Sequence, residues 1–260
     1  MTPKTTQDWN PEAYSRFRGL RLRPALDLLA QVGAVPDGAV VDLGCGAGAV
    51  GEALALRFGP RVVGVDSSPA MLAKAAETGA YVALHEGDIA HWAAEASPAL
   101  IFSNAALHWV DGHSALMPRL AAMLAPGGVL AVQMPRQFFA PSHRFLRDIA
   151  QAMFPDRFDF AGYDAPVQPA FAYWEMLAPL GEVEAWETDY VQHLEAAGAA
   201  HPVRRFTEST AMRPLLDRMS ADEADAFVAR YDAALGAAYP LLPDGSVLMP
   251  FRRVFFTVKV

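Results

Sequence analysis

Apolar residues recur every three or four positions at Leu22, Leu26, Leu29 and Val32, which predicts an amphipathic helix over 11–33, with Pro24 opening a second helical piece. Pro36, Asp37 and Gly38 then turn the chain, and the apolar run 39–43 ends in glycines, as a buried parallel strand does. The pattern continues with a helix over 47–58, a strand over 61–65, a helix over 68–78, a strand over 81–85 and a helix over 89–96. A strand over 99–103, a helical region over 112–124, a turn at Pro126-Gly127-Gly128 and a strand over 129–133 follow. Alternation of this kind predicts right-handed βαβ units and an α/β fold with a parallel sheet.

The regularity weakens after Pro135. Residues 136–180 are rich in aromatics separated by prolines, among them Phe138, Phe145, Phe158 and Trp174, and read as a helical cap. Strand-like runs return near 183–191 and 254–260, bracketing helices over 207–218 and 221–238. The expectation is a seven-stranded, mostly parallel sheet with helices on both faces. Four segments follow: an N-terminal helical lid (1–35), a nucleotide-binding core (36–134), the helical cap (135–180) and a C-terminal part that completes the sheet and an acceptor pocket (181–260).

Composition narrows the classes. A net charge of −8 argues against a nucleic-acid partner, which needs a basic face to release phosphate counterions. Lys4, Lys74 and Lys259 are the only lysines, so the other basic residues are arginines. Arginine suits bidentate carboxylate recognition, although an Ala- and Arg-rich composition also follows from a GC-rich genome. The single cysteine, Cys45, excludes an intramolecular disulfide, and no histidine spacing suggests a metal site. The first residues lack the apolar stretch of a signal peptide, and Arg21, Arg23 and Asp27 interrupt the Leu-rich segment after them, so a cytoplasmic protein without a membrane partner is expected.

The sharpest motif is Val40-Val-Asp-Leu-Gly-Cys-Gly-Ala-Gly48, where a strand runs into a glycine loop that opens a helix. Glycines there allow positive φ and close approach of a ligand at the carboxyl end of the strand. Two registers compete. Residues 46–51 also form a literal G-x-G-x-x-G, with Asp66 20 residues after Gly46, the spacing of a dinucleotide site and of an NAD-dependent dehydrogenase. That register places Asp42 and Gly44 inside a strand that should be continuously apolar, whereas Asp42-x-Gly44-x-Gly46 ends the strand at Leu43 and fits better. Asp66, ending the second strand, suits the two hydroxyls of an adenosine ribose in either reading. Gly87-Asp88-Ile89 adds a second acid suited to an adenine amino group and an apolar wall for its ring. At the end of the fourth strand, Asn104-Ala-Ala-Leu-His-Trp109 leaves room beside a reactive methyl group.

Together these strand ends resemble the class I methyltransferase superfamily over about residues 38–133. The resemblance implies a Rossmann-like fold and S-adenosyl-L-methionine as cofactor. It places Asp42, Gly44 and Gly46 around the methionine portion, Asp66 at the ribose, Met71 under the adenine and Asp88 at the adenine edge; Cys45, which fills the turn, Ser67, Ile89 and Asn104 are the further candidate cofactor contacts. The outer segments, Trp9-Asn-Pro-Glu-Ala-Tyr-Ser-Arg-Phe17, Arg21-Leu-Arg-Pro24, Met212-Arg-Pro-Leu-Leu216 and Leu248-Met-Pro-Phe-Arg-Arg253, resemble the trans-aconitate 2-methyltransferases. Ala211-Met212 and Arg204-Arg205-Phe206 depart from that family's pattern, and both fall in the acceptor half.

The resemblance implies esterification of a small carboxylic acid. A carboxylate is already anionic near neutral pH and needs no general base. Trp9, Tyr14, Arg23, Trp109, Arg213 and Arg252 or Arg253 are the candidate acceptor contacts. For each arginine a solvated or ion-paired role is as well supported. His108 reads as a base for a hydroxyl, thiol or amine acceptor or, preferably, as a pocket wall that hydrogen-bonds substrate. His113 reads as a helix cap. Another small molecule or a malonyl group on an acyl-carrier protein is the alternative acceptor, and a monomer or weak homodimer is expected.

Overall fold

The computed structural model describes residues 18–208 and 210–260. Trp9 and Tyr14, with the start of the first expected helix, lie outside the described residues. The chain runs α1 (Arg18–Gln31), β1 (Val40–Leu43), α2 (Gly51–Phe58), β2 (Val62–Asp66), α3 (Pro69–Ala76), β3 (Ala83–Glu86), β4 (Leu100–Asn104), a 3-10 turn (Leu107–Trp109), α4 (His113–Ala121) and β5 (Val129–Pro135). It continues through α5 (Pro141–Met153), α6 (Ala170–Leu177), β6 (Glu182–Leu194), α7 (Pro202–Glu208), α8 (Arg213–Leu216), α9 (Ala221–Ala238) and β7 (Val247–Lys259).

The seven strands form one sheet in the order β3-β2-β1-β4-β5-β7-β6. β1 pairs in parallel with β2 and β4, β2 with β3 and β4 with β5, and β7 runs antiparallel to β5. From β1 the chain builds outward to β3, then returns to β4 on the other side of β1. Such a reversal opens a crevice at the carboxyl ends of β1 and β4, where α/β sheets bind ligands.

The register has a second consequence. Asp42 stands opposite both Gly64 and Phe102, so Asp66 and Asn104, two residues further along β2 and β4, share its face. Asn104 is opposite Gln133, Gln133 is opposite Phe255, and Arg253 lies two residues from Phe255. One face of the sheet thus carries a polar file from Asp66 to Arg253.

Three sequence expectations change. Pro24 lies within a single continuous helix instead of opening a second piece. Burial of Ala25, Leu28 and Leu29 on the face that packs against β5 holds the helix together despite the lost backbone donor. The helix expected over 89–96 does not form. Arg119 of α4 takes the carbonyls of Ile89, Ala90 and Trp92, which are the acceptors a helix needs, and Asp88 takes the Ala90 N–H. The helix expected over 207–218 is two short ones, α7 and α8, set apart around Thr210–Met212, where the Met212 N–H bonds the Thr207 carbonyl.

By compactness the chain divides into two units. The first takes the chain to Pro135 together with Pro166–Thr188 and Arg253–Val260; the second takes Arg136–Ala165 and Asp189–Arg252. In the first, Tyr173 stacks on Phe256 and Trp186 on Phe255. In the second, α5 packs on α9, and the buried Tyr231 hydroxyl donates to the Ser142 carbonyl. The Ser220–Glu223 capping box starts α9, and its glutamate also receives both outer nitrogens of Arg157. Among the described residues no helix is long and apolar enough to cross a membrane.

Candidate functional site

The glycine loop leaves β1 at Leu43, as the Asp42-x-Gly44-x-Gly46 register requires, and α2 begins only at Gly51. Gly44 has φ +79°, and a Cβ there would lie 2.2 Å from Ala106 Cβ and 3.2 Å from Ile89 Cδ1. The chain segments beyond β1, β3 and β4 therefore meet over a position that only glycine can occupy. The Gly44 and Cys45 N–H groups both bond the Val65 carbonyl, which fastens the loop to β2. Cys45 is buried in the turn, and burial pushes its thiol far up, the state of an inert packing residue.

Gly46 differs from Gly44. Its φ is +53°, and a Cβ there would meet nothing within 4 Å, so the loop presents open space at this point. Its N–H donates to Asp66 Oδ2 (2.8 Å), while Asp66 Oδ1 takes the Ser68 N–H (3.0 Å). Each oxygen of a carboxylate can accept twice, so Asp66 is oriented by two backbone donors and still has one acceptor site per oxygen. Ser67 beside it is exposed; Ser68 is buried and caps α3 by accepting the Met71 N–H. Met71 is buried on α3.

Asp42 is buried on β1, and its Oδ2 accepts from the Tyr81 hydroxyl at 2.7 Å. Burial pushes its carboxyl up to about 7, nearby Asp66 adds to the rise, and the Tyr81 hydrogen bond opposes it. Tyr81 is held by shape. A Cβ on Gly51 would lie 2.6 Å from its ring and hydroxyl, and those on Gly48 and Gly64 would lie 3.2 and 3.1 Å from the ring. Three glycines thus make room for the one phenol that reaches Asp42.

At the edge of the site Asp88 is exposed, its Oδ1 receiving the Ala90 N–H (3.0 Å) and its Oδ2 lying 3.2 Å from His91 Nδ1. Ile89 is half-buried, fixed by Arg119 at its carbonyl. Beyond Asn104, Ala105 has φ +53°. A non-glycine residue in that region costs about 1–2 kcal/mol, and the Ala105 N–H to the Gln133 carbonyl (2.9 Å) helps hold it there.

His108 and Trp109 ride on the 3-10 turn, their rings 4.6 Å apart, with Trp109 largely exposed. His113 does not cap α4, whose N-cap is Gly112; it is buried behind that turn. Its Nε2 faces the Leu107 carbonyl (3.0 Å), so it carries the proton, and Nδ1 accepts from the Tyr173 hydroxyl (2.7 Å). Burial lowers the pKa of His113, which keeps the ring neutral and the turn pinned.

The candidate arginines stand in different surroundings. Arg23 is exposed and paired with Asp27. Arg213 is exposed at the start of α8. Arg252 meets Asp189 through Nε and Nη2 at 2.9 and 3.0 Å, half-exposed. Arg253, on the opposite face of β7, is buried and donates from Nη1 to Gln133 Oε1 (3.0 Å); Gln133 Nε2 donates to Asn104 Oδ1 (2.6 Å). Sequence reasoning missed Gln133, Tyr81 and the part played by His113. Gln133 had a signal, as the one polar residue in the run 129–134.

A family model described as a methyltransferase domain matches residues 40–128. A trans-aconitate 2-methyltransferase of Paracidovorax citrulli is 42% identical, covering 97% of this chain and 98% of the relative. That of Variovorax paradoxus is also 42% identical with the same coverage. Among solved structures, phosphoethanolamine N-methyltransferase 2 of Haemonchus contortus in complex with S-adenosyl-L-methionine superposes with a TM-score of 0.52 at 20% identity, over 91% of this chain and 52% of that one. The dehydrogenase reading of the glycine loop falls with these matches, and the chain belongs to the trans-aconitate 2-methyltransferase family of Rossmann-like class I methyltransferases.

Proposed function

We propose that this protein esterifies a carboxylate of trans-aconitate, using S-adenosyl-L-methionine and releasing S-adenosylhomocysteine. The observation that carries the reading is the loop register: β1 ends at Leu43 after the buried Asp42, and the Gly44–Gly46 loop opens beside Asp66, a carboxylate that two backbone donors orient and that keeps one acceptor site on each oxygen. That is the complement of a ribose diol at the tip of β2. S-Adenosyl-L-methionine supplies a methyl group on a cationic sulfur, so the carbon–oxygen bond forms as the carbon–sulfur bond breaks and its electron pair stays on sulfur.

The protein's own residues bind and orient. Asp66 and Ser67 hold the ribose, Met71 and Ile89 the faces of the adenine, and Asp88 its amino group. Gly44, Cys45 and Gly46 admit the methionine portion, with Asp42 and its Tyr81 partner beneath them. Asn104 stands by the transferred methyl. The acceptor arrives anionic, so His108 acts as wall and hydrogen-bond partner and not as a base. Trp109, Arg23, Arg213 and Arg252 are the acceptor-side contacts of this reading, and positioning with exclusion of water provides the acceleration.

The test is turnover of trans-aconitate, cis-aconitate, isocitrate and citrate with mass detection of the methyl ester, beside calorimetric titration with S-adenosylhomocysteine. Ester formation from trans-aconitate is expected. Release of S-adenosylhomocysteine only with a thiol or amine acceptor sinks the carboxylate assignment.

A further inference from the structure

Asn104, Gln133 and Arg253 form a row across β4, β5 and β7 on one face of the sheet, and its polarity is fixed from one end. A guanidinium has donors only and stays protonated in proteins. The group Gln133 turns to Arg253 must therefore be its carbonyl oxygen, which leaves its NH2 for Asn104, as the 3.0 and 2.6 Å bonds record. Asn104 must then answer with Oδ1, and its own NH2 turns away from Gln133. Gln133 is fully buried and Arg253 4% exposed, whereas Asn104 is half-buried at the tip of β4. The backbone seconds the arrangement, because the Gln133 carbonyl takes the N–H of the left-handed Ala105 immediately beyond Asn104. Where side chains are buried in a sheet, hydrogen bonds chained from a cation polarise one another, which makes the terminal NH2 a better donor.

We propose that Arg253, acting through Gln133, fixes the Asn104 amide as a hydrogen-bond donor at the open end of β4, where it binds a carboxylate; this rests on the methyltransferase reading above. An NH2 held outward is a donor and pairs only with an electron-rich partner. The two partners of that chemistry at this strand end are the acceptor's carboxylate and the carboxylate of the methionine portion. Arg253 and Gln133 are positioning residues, since neither touches the ligand.

Gln133→Glu tests the relay. The new carboxylate still accepts from Arg253 but has no donor for Asn104, so the Asn104 amide turns over and presents its oxygen. The Glu–Arg pairing retains the fold, checked by thermal melting and near-ultraviolet circular dichroism. Binding of the carboxylate ligand is expected to weaken about 10–100-fold, the range of a hydrogen bond to a charged group. A raised acceptor KM with unchanged S-adenosylhomocysteine Kd assigns the acceptor carboxylate; a raised Kd assigns the methionine carboxylate. Asn104→Asp, which presents oxygen whichever way it turns, must lose as much. Arg253→Lys, still donor-only, must lose less than Arg253→Met, and this comparison decides the matter should Gln133→Glu not fold. Kd and KM within about twofold of wild type in Gln133→Glu, or equal losses in the two Arg253 variants, overturn the relay while leaving the methyltransferase reading intact. A wild type that neither binds S-adenosylhomocysteine nor esterifies any acid overturns both.

Discussion

At the tips of β1 and β2 the site is made of backbone: Gly44, Gly46 and Gly48 at positive φ, N–H groups bonded to the Val65 carbonyl and the Asp66 carboxylate, and a phenol set into space that glycines vacate. At the tips of β4 and β5 it is made of side chains, Asn104, Gln133 and Arg253, linked by amide and guanidinium hydrogen bonds across three strands. The first construction is fixed by close packing, since a Cβ at Gly44 meets Ala106 and those at Gly48, Gly51 and Gly64 meet Tyr81, and by backbone donors at Gly46. The second joins residues 104 and 253 and depends on the orientation of two amides. The contrast teaches that the first part of the site is specified by the shape of its neighbours, whereas the second is specified by hydrogen-bond polarity passed across three strands.

The largest effect expected on the backbone-built side comes from Asp42. Its carboxyl rises from the ordinary 3.8 to about 7 on folding, so the folded chain holds this proton more tightly than the unfolded one. The contribution to stability is whole below about pH 4, is lost as pH rises toward about 7, and is then constant at about 4 kcal/mol less. Asp42→Asn still receives the Tyr81 hydroxyl and carries no charge. Urea melts of the two proteins should agree near pH 4 and diverge by up to that amount above about pH 7, with the variant more stable. Parallel curves at all pH values would show that the buried charge is compensated by something outside this pair.

Next comes Gly44→Ala. Its Cβ falls 2.2 Å from that of Ala106, at φ +79°. Left-handed strain of about 1–2 kcal/mol and overpacking of about 1–3 kcal/mol give a loss of about 3 kcal/mol in denaturant stability. Adding Ala106→Gly should return the overpacking share and leave the strain. A double variant no more stable than Gly44→Ala alone would remove the steric account.

These two sites also mark what the sequence makes legible. Strand–glycine–helix punctuation is a local signal, so the β1 loop, the ending of β2 at Asp66, the seven strands and the class of fold are all legible in the residue pattern alone. The missing helix over 89–96 is not, because its carbonyls are taken by Arg119, some 30 residues away. Pro24 misled for a related reason, since packing of α1 against β5 outweighs a local preference. Arg252 and Arg253 are adjacent and chemically alike, and only the opposite faces of β7 on which they stand assign one to Asp189 and the other to Gln133. Hydrogen-bond polarity is a property of partners, so periodicity holds no trace of it.

Gly46→Ala sharpens the comparison from the ligand's side. With φ +53° and nothing within 4 Å of its Cβ, the variant should lose only about 1 kcal/mol of stability. The methyl group enters the open space above the loop, so calorimetry should show S-adenosylhomocysteine binding at least about tenfold weaker, a loss near 1.4 kcal/mol. Unchanged affinity would place the ligand elsewhere along the strand tips.

The smallest effect is expected at Arg252, and it tests whether the neighbouring arginines of β7 differ as their surroundings imply. Arg252 and Asp189 are about half-exposed, and exposed pairs contribute at most about 1 kcal/mol even in bidentate geometry. The Arg252 hydrogen bonds hold the Asp189 carboxyl below its ordinary 3.8, so what the pair adds is present above about pH 4 and fades as pH falls further. Arg252→Ala should therefore lower stability by less than about 1 kcal/mol near neutral pH, and by less still in about 1 M salt, where charges are screened within about 3 Å. Arg253→Met should cost several times more under every one of these conditions, because it strips the cation from a buried amide. Equal losses from the two would mean that the face on which an arginine stands does not decide its role, and the long-range origin of polarity in this site would fall with it.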